Sequence, residues 1–218
     1  NNIAGATQST LNTTFLSLGI TNSTAALQST LFRSIVTCAN GGASTNSNPV
    51  TVQQNSIFNC YCTSVATSTA DEDISNVTFG SLNNSSTCSS VGPGPGSIQY
   101  RYANYTSGTG APAPANVFSG INNPFSATIV TCGGNYPNAV RVWIDLNHDG
   151  LLDNSTERVY SSAYTTGPHT ESGQIFIPST ALTGVTLMRV VNYESYSVPA
   201  NACSNYLWGE TEDYLVNI

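Results

Sequence analysis

Lysine is absent from this sequence, and its basic residues are five arginines, Arg33, Arg101, Arg141, Arg158 and Arg189. Without lysine there is no lysine Schiff base, no phosphate loop of the P-loop kind and no Lys–Asn isopeptide cross-link. Twelve acids set against five arginines give a net charge of −7, and charged residues are only 8% of the chain, about a third of the usual share. A surface this acidic cannot neutralise phosphates, which excludes nucleic-acid binding. No apolar run approaches about 18 residues, so no membrane span is expected. No C-x-x-C pair occurs either, which argues against a thiolate metal site.

What is present is polar without being charged. Serine and threonine make up about a quarter of the 218 residues, with Val, Ile, Leu, Tyr and Phe spread throughout. That length can bury a substantial core, and the composition favours strands and turns over helices. Apolar residues alternate in 97–102 (Ile98, Tyr100, Tyr102), 139–145 (Val140, Val142, Ile144), 174–178 (Ile175, Ile177), 185–191 (Val185, Leu187, Val191) and 214–218 (Tyr214, Val216, Ile218). Loops carry the Gly and Pro, most visibly 91–96 and 106–115. The expected fold is all-β, an antiparallel Ig-like or jelly-roll β-sandwich with an extended N-terminal arm. One helix is expected, in 24–35, where Leu27, Leu31 and Ile35 recur every four residues behind a Ser23 or Thr24 cap.

Six cysteines, at 38, 60, 62, 88, 132 and 203, form an even set, as in oxidised, secreted proteins. A chain opening on Asn1 rather than Met reads as a mature product whose leader has been removed. The strongest local motif is acidic: Asp145, Asn147 and Asp149 at alternate positions, then Gly150 and Asp153. Oxygens spaced in this way can wrap a hard cation such as Ca2+. Thr156 stands where an EF-hand needs its last acid, and the preceding residues read as a strand, so this is a β-turn loop rather than an EF-hand. The alternative is an Asx-rich turn in which the same oxygens accept backbone N–H groups.

The segment from Tyr206 through Trp208, Gly209, Glu210, Glu212, Asp213 and Tyr214 to Ile218 resembles the signature of the GEVED domain family, with Thr211 in place of the central valine. Three further pieces follow that family's order. They are Tyr61 to Ser64 with Ile74 to Val77, Val142 to Asp145 with Asn147, Asp149 and Gly150, and Leu187 to Val190 with Ala202 and Cys203. The resemblance covers about residues 59–218. It implies a β-sandwich domain of secreted or cell-surface bacterial proteins with no established catalytic activity, so no catalytic residues are expected and the chain is read as a non-enzyme. It also implies a Cys62–Cys203 disulfide; of the three pairings open to the other four cysteines, Cys88–Cys132 with Cys38–Cys60 is the one expected. The signature acids are expected to be structural, pairing with Arg189 or Arg141.

Three regions follow: an arm over 1–20, a linking segment over 21–58 with the short helix and a first strand, and the GEVED-like domain over 59–218. The arm carries no charge, and Leu11, Phe15, Leu16, Leu18 and Ile20 give it the pattern of a strand that can be donated to a neighbour's open sheet. Each subunit would then give a strand one way and receive one the other way, building a filament of identical subunits. The overall plan resembles donor-strand pilus subunits. The leading expectation is therefore a structural subunit of an extracellular, pilus-like helical fibril at the bacterial cell surface. The alternative is a calcium-dependent carbohydrate-binding or adhesion module that contacts surface glycans through tyrosines and tryptophans such as Tyr100, Tyr102, Tyr105, Trp143, Tyr193, Tyr196 and Trp208.

Overall fold

In the computed structural model, residues 28–37, 42–54, 58, 60–69, 72–196 and 198–218 are described. The proposed donor residues Leu11, Phe15, Leu16, Leu18 and Ile20, and Cys38 of the third cysteine pair, lie outside them. The chain divides into two compact units, 1–60 and 61–218.

The first unit, as described, is a two-stranded ribbon. β1 (Gln28–Phe32) pairs antiparallel with β4 (Val50–Gln54), and β2 (Ile35–Thr37) with β3 (Ser44–Asn46). The helix expected over 24–35 is not formed in its described part, since residues 28–32 and 35–37 are strands. The four-residue spacing of Leu27, Leu31 and Ile35 misled because the neighbouring Thr30, Phe32, Val36 and Thr37 are branched or aromatic. Such residues lose side-chain freedom in a helix and fit a pleated ribbon. A lone helix of that length is also marginal.

The second unit is a β-sandwich. One sheet has four strands in the order β13–β9–β5–β6, formed by β5 (Glu72–Phe79), β6 (Leu82–Ser85), β9 (Asn122–Thr131) and β13 (His169–Phe176). The other is mixed and seven-stranded. Its path is β11 (Arg158–Ser161), β10 (Pro137–Ile144), β14 (Val185–Glu194), β15 (Gly209–Asn217) and β7 (Tyr102–Asn104). Two short strands join it, β12 (Thr165–Thr166) on β10 and β8 (Ala115–Asn116) on β15. β7 and β8 run parallel to β15, and the other pairs are antiparallel.

Period-two alternation sorts the side chains of the large sheet onto two covered faces. Val140, Val142, Ile144, Met188, Val190, Tyr214 and Val216 face the interior between the sheets, against Ile74, Val77, Phe79, Phe125, Ile129, Ile175 and Ile177. Ala139, Trp143, Leu187, Val191 and Tyr193 face the other way, where Ala66, Leu152, Ala202 and Tyr206 cover them. Burial on both faces explains why β10 and β14 carry apolar residues at successive positions rather than at alternate ones. β13, by contrast, alternates between covered and exposed residues, with Ile175 its one fully buried side chain.

The expected strand over 97–102 is instead a tight turn. Ile98 and Tyr102 bridge across it, and Tyr100 adopts a φ of 66°. β7 begins only at Tyr102, because the backbone must reverse there to run alongside β15.

Candidate functional site

The acidic turn follows β10. Asp145 is fully buried. Its Oδ2 accepts the Tyr61 hydroxyl at 2.5 Å and the Gly150 N–H at 3.0 Å, and its Oδ1 accepts the Asp149 N–H at 3.2 Å. Asn147 Oδ1 also accepts the Asp149 N–H, and Asp149 Oδ1 accepts the Leu151 N–H. Asp153 turns to its own loop, where Oδ1 accepts the N–H and hydroxyl groups of Ser155 and Thr156. Those bonds, led by the Ser155 hydroxyl, pull its carboxyl down to about 2. Glu157, which sequence reasoning passed over, is buried and locks the turn from behind by accepting the Leu146 and Asp153 N–H groups. The four residues read as a cation loop thus form an Asx-rich turn with their oxygens directed at backbone donors.

Among the described residues, the trio of His, Cys, Asp or Glu side chains whose ligand atoms lie within 4.8 Å of one another is Asp73, Cys88 and Cys132. Its two sulfurs are bonded to each other, so neither is a thiolate, and Asp73 Oδ2 lies 3.4 Å from Cys132 Sγ. The structure contains both disulfides Cys62–Cys203 and Cys88–Cys132.

The signature acids lie within β15, alternating between its faces. Asp213 faces outward and is buried with Arg189 of β14, its cross-strand neighbour. The guanidinium grips the carboxylate through Nε and Nη2, both at 2.7 Å, and Nη1 donates to the Ala202 carbonyl at 2.7 Å. The Tyr102 hydroxyl adds a further bond to Asp213 at 2.8 Å. Burial opposes the charge on Arg189, and the Asp213 carboxylate more than restores it, holding that guanidinium above its ordinary range. Arg141 takes no part; it donates to the Pro199 carbonyl and lies 4.8 Å over the Tyr193 ring.

Glu210 and Glu212 face the interior. Glu210 Oε2 accepts the Ile74 N–H at 3.0 Å, and Glu212 Oε2 accepts the Tyr214 hydroxyl at 2.8 Å. Burial, then the adjoining Asp73 carboxyl and Glu212, pushes Glu210 well above the usual carboxylate range. Burial also pushes Glu212 up to about 8, opposed in part by the Tyr214 hydroxyl. The nearby Tyr105 is pushed up to about 12, by burial first and then by the Glu212 charge. Gly209 opens the strand with a φ of +119°, and a Cβ there would lie 2.1 Å from the Asn192 carbonyl. The signature's glycine is therefore required by close packing against β14.

No triad of nucleophile, base and acid is assembled around either histidine among the described residues. His169 Nδ1 contacts the Gly167 carbonyl and its Nε2 lies 3.1 Å from Glu171. His148 adopts a φ of 55° within the acidic turn. Of the aromatics considered for sugar stacking, Tyr105, Trp143 and Tyr193 are buried, whereas Tyr196 is 81% exposed. No helix among the described residues is long and apolar enough to cross a membrane.

No curated protein matches this chain. Among solved structures, it is similar to the CARDB domain of a Pyrococcus furiosus protein crystallised in complex with di-metal ions. The two are 15% identical over 48% of this chain and 84% of that one, with a TM-score of 0.29. Residues 139–217 match the GEVED domain model, a span running from the inner strand β10 through the acidic turn to the signature strand β15. With its two disulfides, this sandwich is a β-domain of extracellular type that is similar to the GEVED domain family over residues 139–217.

Proposed function

We propose that the chain is a non-enzymatic structural subunit of an extracellular, pilus-like fibril, joined to identical subunits by strand addition through its N-terminal region. The observation that carries this reading is the ribbon of the first unit. Leu31, Ile35, Val36 and Val50 are between 51% and 66% exposed on it. A two-stranded ribbon is marginal by itself, and an apolar one gains most by pairing with or packing on another chain. An acceptor edge supports the reading: among the described residues, the eight-residue β13 pairs only with β9. The low charge and paired cysteines suit an assembly that must persist outside the cell.

Electron microscopy of the purified chain tests the proposal. Filaments are expected from the intact chain, and none from a variant lacking residues 1–20 or from a Leu31→Asp, Val36→Asp double variant. Normal filaments from both variants would overturn it. A glycan-contacting module is the second reading. It is favoured by Tyr136, Tyr164 and Tyr196, all at least 44% exposed and all bordering the end of the large sheet where Asn138 pairs with Thr165 and Glu194. A glycan array that responds to the intact chain and not to Tyr196→Ala would favour it.

A further inference from the structure

With no lysine in the chain, its permanently charged basic side chains are five arginines, set against twelve acids. Arg189 is paired with Asp213. Arg141 and Arg158, despite that excess of acids, make no ion pair among the described residues. Both stand on the outward face of the large sheet. Arg141 alternates with the inward Val140 and Val142 of β10. Arg158, on the edge strand β11, is registered opposite the outward Trp143. The two side chains are therefore diagonal neighbours on adjoining strands.

Two features mark this edge. The first is how the guanidinium groups are held. Arg141 is half-buried; its Nη1 donates to the Pro199 carbonyl, and its Cζ lies 4.8 Å over the Tyr193 ring. Those contacts fix the group and leave Nε and Nη2 without hydrogen-bond partners among the described residues. Arg158 is exposed, and its guanidinium has no partner there at all. The second feature is aromatic. Tyr164 meets Tyr193 edge-on, with ring centroids 6.0 Å apart, and keeps 47% of its surface exposed. Burial pushes Tyr193 up to about 12, opposed by the charge of Arg141 and also by that of Arg158, so both guanidinium groups act at one tyrosine. Like charges side by side with no acid between them are stabilised by an anion. A guanidinium with free N–H groups grips a carboxylate in a fork, and an exposed tyrosine ring offers an apolar face to a sugar ring. Two cations on a chain of net charge −7 cannot hold a polyphosphate, but they match a polymer with one carboxylate on each sugar ring.

We infer that Arg141, Arg158 and Tyr164 bind an acidic polysaccharide, one whose sugar rings carry carboxylates, on the outward face of the large sheet at its β11 edge. The inference rests on the glycan-contacting reading and names the class of glycan. Arg141, held by Tyr193 and Pro199, is the preformed half of the clamp, and Arg158 supplies the free one. A polymer of subunits would repeat the site and multiply its avidity, but binding does not depend on polymer formation.

Calorimetric titration of the full chain with polygalacturonate, and with the same polymer methyl-esterified, tests it. The acid polymer should bind about tenfold more tightly than the neutral ester. That preference should vanish in about 1 M NaCl, where charges are screened within about 3 Å. Arg158→Gln should weaken binding of the acid polymer about tenfold and leave the ester unchanged. Arg158 is exposed and has no bond to lose, so this variant keeps the fold, and near-UV circular dichroism checks it. Arg33→Gln removes the same charge from the first unit and should leave both affinities as they are. Equal affinity for acid and ester, an Arg158→Gln variant that binds like the wild type, or an equal loss in Arg33→Gln would each overturn the inference and leave the glycan reading standing. No binding to either polymer, with no response on the glycan array, would remove that reading and the inference with it.

Discussion

Replacing Arg189 with methionine isolates the contribution of the buried ion pair. The arginine is 1% exposed and Asp213 is 3% exposed. The substitution keeps most of the side-chain volume but removes both bonds to Asp213 and the one to the Ala202 carbonyl. Asp213 then remains as a buried charge with only the Tyr102 hydroxyl to stabilise it. Removing one partner of such a pair costs about 3–5 kcal/mol, most of it the desolvated charge left behind. For a chain of this length that corresponds to a fall of roughly 10 °C in melting temperature. The companion Arg189→Met, Asp213→Leu variant removes that charge as well. Its deficit should shrink to about 1–3 kcal/mol, set by the Tyr102 hydroxyl and Ala202 carbonyl that lose their partners. Urea unfolding followed by tryptophan fluorescence measures both, since Trp143 packs on the same face of the sheet. If the single variant lost less than about 1 kcal/mol, or the double variant were worse than the single, the charge would not be the source of the cost.

Converting both Cys62 and Cys203 to alanine opens a loop of 141 residues, which the nested Cys88–Cys132 bridge shortens to roughly 100. Chain entropy then predicts a loss of about 4–5 kcal/mol, read as a lower urea midpoint. In EDTA, the raised Glu212 carboxyl stabilises the fold below its unfolded value of 4.5, and this contribution is lost as pH rises toward about 8. Stability should therefore fall over that window by up to about 5 kcal/mol. Asp73, Glu210, Tyr105 and Tyr214 surround the group, so comparison with Glu212→Gln is needed to isolate the fall, and identical pH profiles would refute it. Gly209→Ala should cost about 3 kcal/mol or more, because the added carbon collides with the Asn192 backbone at a positive φ. A melting temperature within 2 °C of wild type would contradict that packing argument.

Alternating apolar residues identified β10, β14 and the C-terminal ends of β13 and β15, because a strand's period of two is a local property of the chain. Periodicity failed where short range was ambiguous. Residues 28–37 carry a four-residue apolar spacing, but their ribbon is formed by pairing with residues 44–54. The alternation of Ile98, Tyr100 and Tyr102 is interrupted by a turn that only the parallel docking of β7 on β15 imposes.

By itself the sequence determined the all-β class and a resemblance to a family segment, through composition and motif order, and it narrowed the partner of the signature acids to Arg189 or Arg141. It could not say which way each carboxylate points. Only the tertiary structure decided that Asp213 meets Arg189 on one face of β15 while Glu210 and Glu212 enter the other. It also turned the oxygens of Asp145 and Asp149 toward backbone N–H groups and set Asn192 and Asp73 beside the signature acids. These residues come from different strands and from both sheets. Their meeting is fixed by register and by the packing of one sheet on the other, neither of which is written in any local stretch of the chain.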